Sequence, residues 1–101
     1  MTVIDEHADV REALFVAVRA LAASAEPIQS RLVTATGALV QVTIDQFDGD
    51  VELKTEFARI LDLLAVDEGE LETVVPQTAA HLTDREAVRV ADLICDLFYD
   101  L

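Results

Sequence analysis

The sequence predicts an all-α protein, a compact bundle of four helices plus a short extra helix. Three observations point there. Apolar residues recur at three- and four-residue spacing along four separate stretches. Helix start signals stand before three of those stretches, at Pro27, Asp50 and Thr83. The connections between them are short, as antiparallel helices require. The whole of residues 1–101 reads as a single helical domain, in keeping with its length.

In the first stretch Thr2 or Asp5 can cap a helix, with Asp5, Glu6 and Asp9 near its positive end. Val10, Leu14, Ala17, Val18 and Leu21 form its apolar stripe. Arg11, Phe15 and Arg19 share a second line, each four residues from the next. An aromatic between two arginines is a candidate partner-contact surface. The plainer reading is an aromatic half-covered by arginine stems.

Residues 27–47 read as the central helix. Pro27 suits a first helical position, where its missing N–H is not needed. Two apolar lines follow: Ile28, Leu32, Ala35, Leu39 and Val42, then Val33, Gly37, Val40, Ile44 and Phe47. Two stripes imply neighbours on both flanks, and Gly37 would then mark a close helix crossing. The alternative is an α+β fold with a hairpin at about 32–44, because 40–44 alternates like a strand and Thr36-Gly37 offers a turn.

Asp48-Gly49-Asp50 breaks the pattern, and Asp50 can cap a third helix from Val51 to about Ala65. Its stripe is Leu53, Phe57, Ile60, Leu61 and Leu64, with Glu52, Glu56, Arg59 and Asp62 facing outward. Asp67 and Glu70 resemble a capping box for a short fourth piece bearing Leu71, Val74 and Val75, which Pro76 ends or kinks. Residues 77–82 can add a helical turn. Leu82-Thr83-Asp84-Arg85-Glu86 is the sharpest local signal: Thr83 caps, Glu86 returns to the Thr83 N–H and Leu82 is the staple. The last helix then buries Ala87, Val90, Ala91, Ile94, Phe98 and Leu101, with Leu93 and Leu97 widening that face.

Twenty carboxylates against seven Lys and Arg give a net charge of −13. Such a field repels phosphate backbones and anionic headgroups, which argues against nucleic-acid and membrane partners and favours a basic protein partner. An acidic, merely solvated surface is the bland alternative. Scarce lysine with abundant Ala, Val and Asp fits a bacterial source. The first residues lack the basic and apolar regions of a signal peptide, and the longest apolar run is far too short to span a bilayer. A cytoplasmic protein is the expectation. Cys95 is the only cysteine, and it reads as a small core residue at the border of the apolar face.

Two acidic groupings are candidates for calcium or magnesium. Asp45, Asp48 and Asp50 surround a glycine-containing loop, although the EF-hand glycine and glutamate positions are missing. Asp92, Asp96 and Asp100 stand four residues apart at the negative end of the last helix, where carboxylates repel one another and the dipole. Glu52 and Glu56 make a further pair. Helical nucleotide pyrophosphatases hold magnesium with such pairs, but their spacing is not matched here. His7 and His81 are isolated from other metal ligands. Asp48-Gly49-Asp50-Val51 with Glu56 is similar to the Asp-Gly loop of tellurite-resistance TerB-like domains. A second Asp-Gly loop is missing, and no family is assigned on it.

The leading functional expectation is a non-enzymatic, self-associating interaction module, a homodimer facing a basic partner in the manner of an antitoxin, immunity protein, chaperone or regulator. Arg11, Phe15 and Arg19 are its candidate contact residues. The alternative is a divalent-cation-binding domain or magnesium-dependent enzyme built on the carboxylate groupings.

Overall fold

A computed structural model describes residues 8–47, 49–64 and 78–101. Helices α1 (Ala8–Ala22), α2 (Ile28–Leu39), α3 (Val51–Leu63) and α4 (Asp84–Asp100) make up its frame. A 3-10 turn (Ile44–Phe47) precedes α3, and residues 78–81 form a helical turn before α4. No strand occurs among the described residues, so the fold is all-α and the hairpin at 32–44 is not formed. The proposed start of α1 at Thr2 or Asp5, and the piece built on Asp67, Glu70, Leu71, Val74, Val75 and Pro76, lie outside the described residues.

Local start signals fix where α3 and α4 begin. The Asp50 side chain accepts from the Leu53 N–H at 3.1 Å, and Gly49 before it sits at φ +91°, a left-handed conformation that glycine adopts without a Cβ penalty. At α4 the capping box is complete: the Glu86 N–H donates to Thr83 Oγ1 at 3.2 Å, and the Thr83 N–H donates to Glu86 Oε1 at 3.0 Å. Those bonds to the charged form hold the Glu86 carboxyl below its ordinary range.

One buried cluster runs through all the helices. Val10, Leu14, Ala17 and Leu21 of α1 meet Leu32, Ala35 and Leu39 of α2 and Leu53, Phe57 and Ile60 of α3. Ala87, Val90, Ile94 and Leu97 of α4 complete it. Burying a side chain of this size contributes roughly 1.5–3 kcal/mol. α4 packs against α1, α2 and α3, whereas α3 rests on α4 and the 3-10 turn. The organising element is therefore the last helix and not residues 27–47. Gln29 ties the starts of α2 and α4 together, donating through Nε2 to Leu82 O at 3.1 Å and Asp84 Oδ1 at 2.6 Å.

The expected rod over 27–47 is a shorter helix that stops at Leu39. Val40 and Gln41 turn, and a new element starts at Ile44. The reason is a second start signal inside the segment. The Thr43 N–H donates to Gln46 Oε1 at 2.8 Å, one half of a capping box spelled Thr-Ile-Asp-Gln. The β-branched residues Val40, Val42, Thr43 and Ile44 add a modest helix penalty over the same stretch. The chain bends there, so Phe47 turns inward to meet the Phe57 ring at 5.1 Å between centroids.

The first of the two expected stripes is the main packing face, and the second is split, with Phe47 buried and Val33 and Val40 packed partly against the core. Leu32, Ala35, Leu39 and Val42 are buried, while Gly37 and Ile44 are exposed. Gly37 marks no crossing either, since a Cβ there would meet nothing within 4 Å. It is a helical glycine with no steric reason to be one. Replacing it with alanine should stabilise the fold by about 0.5–1 kcal/mol. For a domain of this size that raises Tm by about 2–8 °C in a thermal melt. A lower Tm for Gly37→Ala would show an unrecognised contact at that position.

Candidate functional site

Two surface regions collect the residues that the sequence singles out. The first is the seam between α1 and α4, which run antiparallel. Arg11 Nη2 donates to Leu101 O at 2.7 Å, where the last turn of α4 leaves carbonyls without helical partners. One turn further along α1, the Phe15 ring lies 6.0 Å from Phe98, tilted by 46°. Phe15 remains 51% exposed, and Arg11 and Phe98 line the same shallow depression beside it. Arg19 is exposed in the last turn of α1.

Beyond the Phe15–Phe98 pair the seam is apolar apart from Asp92 of α4 and Arg31 of α2, which border it. Val18 and Ala22 of α1 and Val88, Ala91 and Cys95 of α4 line an open depression there. Arg31 closes one end, donating through Nη1 to Leu21 O at 2.8 Å. Val88 is 52% exposed. Cys95 is exposed and not the core residue expected, because α4 turns Ile94 and Leu97 inward. Partial burial, then the Asp92 and Asp96 carboxylates, push its thiol up. It is a poor nucleophile at neutral pH as a result.

The second region lies between α3 and α4 and brings together four carboxylates. Glu56 hydrogen-bonds the Asp100 side chain, with Asp96 and Glu52 close enough to act on it. Its Oε2 is buried and has no hydrogen-bond partner. Desolvation first, then Asp100, Asp96 and Glu52, push the Glu56 carboxyl up to about 7. Glu56 is thus not the outward-facing residue expected. Beside it an open depression of about 480 Å³ is lined by Asp50, Glu52, Thr55, Glu56 and Asp100. Chemically, this arrangement holds a proton near neutrality.

The expected metal ligands are dispersed. Asp45 is exposed on the 3-10 turn, Asp48 lies outside the described residues, and the Asp50 side chain caps α3. The row on α4 is split: Asp92 borders the seam with α1, while Asp96 and Asp100 face Glu56. Among the described residues no group of three or more His, Cys, Asp or Glu is arranged to hold a metal ion. His81 is exposed on the turn before α4, and His7 lies outside the described residues.

The four-residue spacing of both Glu52/Glu56 and Asp96/Asp100 was visible in the sequence. Their facing was not, because it depends on the packing register of α3 on α4. No helix among the described residues is long and apolar enough to cross a membrane. No protein-family model matches the chain, and no curated protein or solved structure is significantly similar to it.

Glu56 makes stability depend on pH with a definite sign. Between its ordinary 4.5 and about 7, the folded chain holds a proton that the unfolded chain has released. Stability from this group therefore falls as pH rises through that window. Glu56→Gln keeps the hydrogen-bonding shape without the charge. In urea denaturation it should be more stable than the wild type at pH 8, with the gap closing toward pH 5. Equal stability of the two chains at pH 8 would remove the charge conflict from the account.

Proposed function

We propose that this chain is a non-enzymatic protein-interaction module that works as a self-associated pair. The observation that carries the reading is the open, mainly apolar seam between α1 and α4, bordered by Arg31 and Asp92, on a chain of net charge −13. Phe15 and Val88 each leave about half their surface in water, at opposite ends of the seam. Single exposed apolar residues are ordinary, but a contiguous apolar strip flanked by charge is the pattern of an interaction surface. A second copy that covers the seam leaves the acidic remainder outward. That remainder suits a basic protein partner and disfavours nucleic acid and anionic membranes.

Regulatory, antitoxin-like, immunity-like and chaperone-like roles all use such a module, and a cytoplasmic setting suits it. Sedimentation equilibrium of the full chain tests the reading. A dimer at micromolar concentration is expected, and a monomer throughout that range overturns it.

A further inference from the structure

We infer that the last turn of α4 is a proton-operated relay: a proton shared between Glu56 of α3 and Asp100 locks the turn, and its loss loosens the Phe15–Phe98 and Arg11–Leu101 contacts on the α1 side. The relay works within one chain, whatever covers the seam. Its two sides are already visible. Toward α3, Asp100 hydrogen-bonds the Glu56 side chain, and both line the depression between the helices. Two carboxyl groups at that distance need one proton between them. Glu56 Oε2 is buried, and among the described residues no donor reaches it. Toward α1, Leu101 O accepts from Arg11, and the Phe98 ring meets Phe15. Leu101 and Phe98 stand within two residues of Asp100, so one helical turn carries all three contacts.

The charges that act on Glu56 among the described residues have one sign. Asp100 and Asp96 face it from α4 and Glu52 from its own helix, and Asp50 lines the same depression. On the 3-10 turn, which also packs on α3, Asp45 is exposed. No basic residue stands in the last turn of α4, where carboxylates already oppose the helix dipole. From α1, Arg11 and Glu12 line the depression beside Phe98. α2 is bonded to α4 at the opposite end, where Gln29 meets Asp84.

With the proton in place, the Glu56 carboxyl donates to the Asp100 carboxylate and the turn is held from both flanks. With the proton gone, two carboxylates face each other, and Asp96 and Glu52 add to the repulsion. Glu56 cannot retreat easily, because it sits inside α3 next to the fully buried Phe57. Asp100 can, because it is exposed at a helix end, where opening costs least. Opening that turn moves Phe98 and Leu101 with it, so a charge on the α3 flank is read as a packing change on the α1 flank. Glu56 keeps its proton up to about 7. The lock is therefore complete at acid pH, weakens as pH rises above the ordinary 4.5, and is fully lost above about 7.

The experiment is an NMR titration of the full chain from about pH 4 to about pH 9, following two signals. One is the Glu56 carboxyl carbon, and the other is the Phe15 ring protons, which the Phe98 ring shifts while the two are in contact. Both should move together, with one midpoint at about 7. Glu56→Gln and Asp100→Asn each remove one charge and keep the shape. In both variants, verified as folded by circular dichroism, the Phe15 signals should hold their acid-side positions throughout. A Glu56 carboxyl that titrates at its ordinary 4.5 overturns the relay. So does a Glu56 that titrates at about 7 while Phe15 stays still, which confines the repulsion to the α3/α4 contact. A Phe15 movement that survives in either variant also overturns it, and in Glu56→Gln assigns the signal to His7 or His81, which titrate in the same range.

Discussion

The structure depends on one helix being surrounded. Ala87, Val90, Ile94 and Leu97 of α4 are all but fully withdrawn from water, and α1, α2 and α3 each supply part of the cover. A 17-residue amphipathic helix cannot hide such a face on its own. α3 in turn has few other supports, since it leans on α4 and on the 3-10 turn beside it. Start signals at both ends of this arrangement, Asp50 and Thr83, set the register in which the apolar residues interlock. Local hydrogen bonding and long-range packing therefore agree at α3 and α4.

The same geometry distributes the charge. The side of α4 toward α3 gathers Asp96 and Asp100 against Glu52 and Glu56, and the crowding is relieved by a proton on Glu56. The side toward α1 carries an apolar strip bordered by Asp92 and Arg31. A single helix thus presents a proton-holding carboxylate group on one flank and an apolar strip on the other. The acid of this chain is a repulsive field, and the self-association reading takes the apolar seam as its location.

Much of this was legible in the sequence. The apolar stripe of α1, the Asp-Gly break, the Asp50 cap and the Thr83–Glu86 capping box all stand where the residue pattern puts them. The error at 27–47 came from reading periodicity past a start signal. Thr43 and Gln46 spell the beginning of a new element, and the two-stripe pattern of a continuous helix ran through it unnoticed. Gly37 was given a packing role that exposure rules out. The choice of central element was beyond a stripe count, because α2 and α4 both look broadly apolar. Only the packing shows that α4 has three neighbours. The facing of Glu56 and Asp100 depends on that packing as well. Arg11 and Phe15, read from the sequence as candidate contact residues, meet Leu101 and Phe98 of the same chain.

Native-state hydrogen exchange on Ile94→Ala tests the central claim most directly. Removing this fully buried side chain should cost about 2–5 kcal/mol. If α4 holds the other helices together, the slowest amides of α1, α2 and α3 lose protection by that same amount, because they open only with α4. A loss confined to α3 and α4, with α1 and α2 keeping their protection, would contradict the account. It would make the α1–α2 pair an independent unit and α4 an attachment to it.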